Sequence, residues 1–84
     1  MIKEIVEFKA SEWNGDWTLA TTTFMLGYDD GKYFEYGTNG FMKFTTYEEA
    51  KQMEVELNKI SLKGFKKVKV ESSFGRERFV YEVE

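Results

Sequence analysis

Three triplets of the form x-[Asn/Asp]-Gly constrain this chain more than any other feature: Trp13-Asn14-Gly15, Asp29-Asp30-Gly31 and Thr38-Asn39-Gly40. Each lies between runs rich in aromatic and β-branched residues, an arrangement that reads as a β-hairpin loop. A two-residue type I′ loop and a three-residue loop closed by a left-handed Gly both fit such a triplet. They differ by one residue of register, which turns every side chain to the opposite face of the sheet.

The hydrophobic pattern favours three-residue loops. With them Phe8 lies opposite Ala20, Val6 opposite Thr22, Leu26 opposite Phe34, Phe24 opposite Tyr36, Tyr36 opposite Met42 and Phe34 opposite Phe44, all at even-numbered positions. Glu35 then faces Lys43 on the other side, a cross-strand pair of the kind worth about 0.2–1 kcal/mol. Two-residue loops would instead set Phe34 against Thr45 and Tyr36 against Lys43. The reading is a four-stranded antiparallel meander running from about Ile2 to Thr45, with Gly27 and Gly37 marking a bulge or a close approach.

A helix follows directly. Thr46-Tyr47-Glu48-Glu49 matches a capping box, with Thr46 as N-cap and two acids at the positive end of the helix dipole. Tyr47, Ala50, Met53, Leu57 and Ile60 recur at spacings of three and four and form one apolar stripe. Lys59 and Lys63 suit the last turn and Gly64 the left-handed position beyond it, so the helix is expected from about Tyr47 to Lys63. The runs 65–71 and 78–84 then alternate as strands around the turn Ser72-Ser73-Phe74-Gly75, and a four-residue loop sets Val68 against Phe79. The order β-β-β-β-α-β-β predicts an α+β fold in a single domain over residues 1–84, with the helix packed on the even-numbered face of the sheet.

Composition then removes whole classes of chemistry. Fifteen aromatics among 84 residues are too many for a disordered tail. The chain has no Cys, His or Pro. It therefore lacks disulfides, thiol nucleophiles, an imidazole base and the usual ligands of zinc. Ser11, Ser61, Ser72 and Ser73 have no His to activate them, and Gly37-Thr38-Asn39-Gly40 lacks the Lys-Ser/Thr ending of a phosphate-binding loop. Tyr28-Asp29-Asp30-Gly31 is not followed by the spaced oxygen ligands of a calcium loop. The expectation is a non-enzymatic protein without cofactor or metal. The opening MIKEIVEFK has no apolar core of signal-peptide length, which points to the cytoplasm. Ten Lys against two Arg is a composition common in low-GC genomes and suits a bacterial or phage regulator.

Two surfaces could carry binding. On the odd-numbered face of the meander the pattern places Ile5, Trp17, Leu19, Met25, Tyr33 and Phe41, an apolar set too large to leave in water, with Trp13 at the loop edge. Such a face suits docking on a larger protein or nucleoprotein as an accessory or inhibitory protein, with Trp13, Trp17, Leu19, Met25, Tyr33 and Phe41 as contacts. It suits a homodimer as well. Alternatively, residues 59–78 carry a net charge of +5 within a chain of net −3. There Lys66, Lys67, Lys69, Arg76 and Arg78, flanked by Phe65, Phe74 and Phe79, could hold a nucleic-acid backbone. No membrane partner is expected.

Overall fold

The computed structural model describes residues 3–27, 31–71 and 75–84 and is an α+β fold. Its elements are β1 (Glu4–Trp13), β2 (Asp16–Leu26), β3 (Lys32–Phe44), α1 (Tyr47–Ser61), β4 (Phe65–Glu71) and β5 (Glu77–Val83). The strands form one antiparallel sheet in the order β1-β2-β3-β5-β4. The meander before the helix thus has three strands where the pattern predicted four.

The turn readings are corrected, and between β2 and β3 Leu26 pairs with Tyr33 and Phe24 with Glu35, one residue from the expected Phe34 and Tyr36. Trp13 pairs with Asp16, so the first loop is the two-residue Asn14-Gly15, with φ of 50° and 82°. Asn tolerates the left-handed region well enough for a type I′ turn, whose twist matches that of the strands it joins. The register moves by one residue, and Val6 comes to lie opposite Thr23 instead of Thr22, with Ile5 opposite Phe24. Thr38-Asn39-Gly40 is no turn at all, because β3 runs straight through it. The register of β3 on β2 steps from Met42 to Gly40 and from Gly37 to Glu35, which makes Phe41 and Tyr36 the extra residues of two β-bulges. These bulges break the strict parity on which the even-numbered face depended. In the last hairpin Val68 pairs with Val80 and Glu71 with Glu77, one residue from the expected register. Ile2, Asp29, Asp30 and Ser72 to Phe74, on which other parts of these readings fell, lie outside the described residues.

The core mixes both parities. Ile5, Phe24, Tyr33 and Tyr81 form its buried centre, with Leu26, Leu62 and Phe65 packed against it. Phe24 meets Tyr81 edge-to-face at 4.9 Å, and Tyr33 meets Phe65 in the same way at 5.2 Å, the geometry the ring quadrupoles prefer. A Cβ on Gly27 would lie 2.6 Å from the Phe34 ring, so that glycine marks a close approach. Lys67 of β4 lies 3.2 Å from Glu7 of β1, although these strands are the two ends of the sheet. Flat strands four places apart would be separated by about 19 Å, so the sheet curls strongly to bring them together.

The helix begins as its capping box specifies, with Thr46 Oγ1 accepting the Glu49 N–H at 3.3 Å. It ends at Ser61, slightly short of the expected Lys63, with Leu62 as C-cap donating its N–H to the Asn58 carbonyl at 2.9 Å. Gly64 follows in the left-handed region at φ 86°. The helix packs chiefly against β1, with lesser contact to β2 and β3, rather than over the even-numbered face. Its buried residues are Ala50 and Glu54, while Ile60 of the predicted stripe is 77% exposed.

Candidate docking surfaces

The side of α1 turned to the sheet is polar in a specific way. Leu26 donates its N–H to the Lys3 carbonyl at 2.9 Å, so odd-numbered residues of β1 bond to β2. The backbone groups of Val6, Phe8 and Ala10 therefore point out of the sheet edge. Three helical side chains take four of these six groups. Ser61 Oγ donates to the Val6 carbonyl at 2.7 Å, and Glu54 Oε1 accepts the Ala10 N–H at 2.9 Å. Asn58 accepts the Phe8 N–H at 2.8 Å and donates to its carbonyl at 2.9 Å. Two turns of helix advance about 10.5 Å and four strand residues about 13.6 Å, a mismatch that the differing lengths of Glu, Asn and Ser absorb. Residues 54, 58 and 61 are spaced as one helical stripe, a signal present in the sequence beside the apolar one.

Glu54 is buried yet charged. Burial is the largest influence on its carboxyl and opposes ionisation. The hydrogen bonds from Lys51 and the Ala10 N–H, with the nearby charges of Lys51 and Lys9, outweigh it and hold the carboxyl below the ordinary range. The Lys51 ammonium lies 2.5 Å away. Tyr81 moves in the opposite sense: burial first, then its hydrogen bond to Glu7 and the charge there, raise the phenol well above its usual value.

The expected aromatic face does not assemble as one surface. Leu19 and Tyr33 are only 1% and 3% exposed and belong to the interior, and the β2–β3 register, with Leu26 opposite Tyr33, sets them on opposite faces of the sheet. Trp17 is half-buried, its ring 4.8 Å from Tyr47 in an edge contact that braces the start of α1. Met25 is exposed, and Trp13 is 64% exposed. The side chain of Phe41 lies outside the described residues.

The basic set is distributed among carboxylates. Lys66 pairs with Glu82 at 3.2 Å, Lys67 with Glu7 at 3.2 Å and Lys69 with Glu77 at 2.6 Å. Lys67 also lies over the Phe79 ring, 5.1 Å from its centroid. Arg76 is exposed, and Arg78 lines a cleft of about 340 Å³ with Glu7, Glu35, Lys67 and Phe79. That cleft carries both signs of charge, and the three lysine pairs blunt the positive potential that a phosphate backbone requires.

At the β1–β2 turn, Trp13, Asp16, Thr18 and Lys43 line a groove of about 310 Å³. Lys43 lies 3.8 Å from Asp16 there, and Glu12 precedes Trp13 in an exposed position. Pattern reasoning placed Trp13 at the rim of a larger face; here its groove stands alone.

Among the described residues no group of acids is gathered to hold a metal ion, and no helix is long and apolar enough to cross a membrane. Comparison with protein-family models, with curated proteins and with solved structures found no match.

Proposed function

We propose that the chain is a small cytoplasmic, non-catalytic binding protein of the accessory or inhibitory kind, which docks on a larger protein through its Trp13 end. The observation that supports this reading is an exposed indole that lines a groove together with Asp16 and Lys43. Tryptophan in such a position is the residue type most often found at the energetic centre of an interface. The carboxylate of Asp16, cross-strand from Trp13, selects the partner's chemistry. An Arg or Lys side chain can lie on the indole face while its charge meets this acid.

The test is capture of interacting protein from extracts of the source organism with wild type, Trp13→Ala and a Lys66→Ala/Lys67→Ala/Lys69→Ala variant, each first checked for folding by circular dichroism. The reading expects Trp13→Ala to weaken the captured complex at least about tenfold, while the lysine variant retains it through nuclease treatment. Capture indifferent to Trp13, or lost with the lysines and on nuclease treatment, overturns the proposal. The second pattern would assign the basic hairpin to nucleic acid.

A further inference from the structure

We infer that two copies of this chain associate through the open edge of β3, antiparallel and two-fold symmetric about Asn39. This inference concerns assembly and stands apart from the docking reading.

β3 is paired along its whole length with β2, but β5 meets its other side only at Lys32 and Tyr33. Among the described residues no strand is in register with that side from Phe34 to Phe44. The midpoint of this open stretch is Asn39. Even-numbered β2 residues bond to β1, so the β3 residues opposite them turn their N–H and C=O outward. Those residues are Glu35, Thr38, Gly40 and Lys43. A second copy run antiparallel about Asn39 sets Glu35 against Lys43 and Thr38 against Gly40. Each is an outward residue meeting an outward residue, so the two edges could exchange about eight backbone hydrogen bonds.

The bulges make the match selective. The outward residues are spaced three, two and three apart along β3, because Tyr36 and Phe41 are the extra residues. A regular strand repeats every two and cannot follow that spacing, which is why bulges protect edges from stray pairing. A second copy of β3 reads three, two and three in the opposite direction and follows it throughout. Charge agrees, since the pairing is between Glu35 and Lys43, twice by symmetry. Tyr36 and Met42, both exposed apolar side chains, come opposite each other. These are the contacts that a hairpin at Thr38-Asn39-Gly40 would have made within one chain. The straight strand leaves them for a partner, as hinge segments do in exchanged dimers. The dimer would carry two Trp13 ends, separated along the strand direction by about 30 Å or more.

The test uses the whole chain, which has no cysteine of its own. Light scattering should give twice the chain mass at micromolar concentration. Asn39→Cys should cross-link into a disulfide dimer on mild oxidation, because a non-hydrogen-bonded antiparallel pair holds its Cα atoms about 4.5 Å apart, within disulfide reach. Asn14→Cys, at the far turn, should cross-link much more slowly. Glu35→Lys should raise the dimer dissociation constant at least about tenfold, and Glu35→Lys with Lys43→Glu should restore it. A monomer at all concentrations, equal cross-linking at positions 14 and 39, or no recovery in the double reversal would each overturn the inference.

Discussion

β1 and β3 both turn one side of their backbone away from the rest of the sheet, and the fold treats them in opposite ways. On β1 the Val6 carbonyl, the N–H and carbonyl of Phe8 and the Ala10 N–H are taken by Ser61, Asn58 and Glu54. On β3 the outward groups of Glu35, Thr38, Gly40 and Lys43 face no strand among the described residues. The only helix in the described chain is spent on the first edge. It reaches that edge because the short Thr45-Thr46 link brings the chain back from the end of β3, where Trp17 and Tyr47 fix its start. An edge with irregular spacing and charges of both signs needs less cover than a regular one. β1 is regular over its pairing with β2, without a register shift, and is the edge that needs the helix.

The largest expected contrast comes from placing proline on each edge. Ala10→Pro removes the N–H that Glu54 accepts and leaves a buried carboxylate short of a donor, at a cost of about 3 kcal/mol. Thr38→Pro removes an outward N–H that no strand among the described residues uses and should cost the monomer under about 1 kcal/mol. Urea unfolding at concentrations low enough to keep the chain monomeric measures both. Equal losses would mean that the two edges are protected alike.

Next in size is Asn58→Ala, which removes two bonds to Phe8 at once and leaves two partly buried backbone groups for water to satisfy. A loss of about 2 kcal/mol is expected in the same measurement, with faster amide exchange at Phe8 than at residues bonded to β2. Asn58→Asp keeps the acceptor and loses the donor, so it should fall between wild type and Ala. A value within error of wild type would remove the helix from the account of how β1 is covered.

Glu54 adds a pH dependence to the covered edge alone. Its carboxyl is held below the ordinary range in the folded chain. Its contribution is therefore present above the unfolded carboxylate value and is lost as pH falls through the depressed folded one. Glu54→Gln should lower stability at neutral pH and flatten the acid limb of the stability profile. An unchanged acid limb would show that the carboxylate contributes nothing to closure of the β1 edge.

These two edges also separate what the pattern of residues could tell from what it could not. The α+β class, the capping box at Thr46 and the presence of strands on both sides of the helix follow from local propensity and periodicity, which act over a few residues. The register of β1 turned on whether Asn14 would accept a positive φ, and both loop types satisfy the same triplet. The fate of Thr38-Asn39-Gly40 was decided by tertiary structure: the pairs Tyr36–Met42, Phe34–Phe44 and Glu35–Lys43 suit a hairpin within one chain and an edge between two equally well. Trp13 was legible as exposed because it adjoins a turn. Tyr33 was misplaced because β3 meets β2 one residue out of the expected register, with Leu26 opposite Tyr33 instead of Phe34; Leu19 keeps its side of β2, beside the half-buried Trp17, and that side is covered.

The smallest expected effect bears on the helix itself, which presents two stripes to choose between. Tyr47, Ala50, Met53, Leu57 and Ile60 form the apolar stripe, and Glu54, Asn58 and Ser61 the polar one. A helix packed by its apolar stripe would bury Ile60, and Ile60→Ser would then cost several kcal/mol through lost burial and a cavity. A helix laid against a strand edge must instead offer hydrogen-bonding groups to that edge, and rotating to do so carries Ile60 out to water, where it stands 77% exposed. Ile60→Ser should accordingly change stability by no more than about 0.5 kcal/mol. A loss above about 2 kcal/mol would show that α1 is turned the other way, and the distinction between the covered and the open edge would go with it.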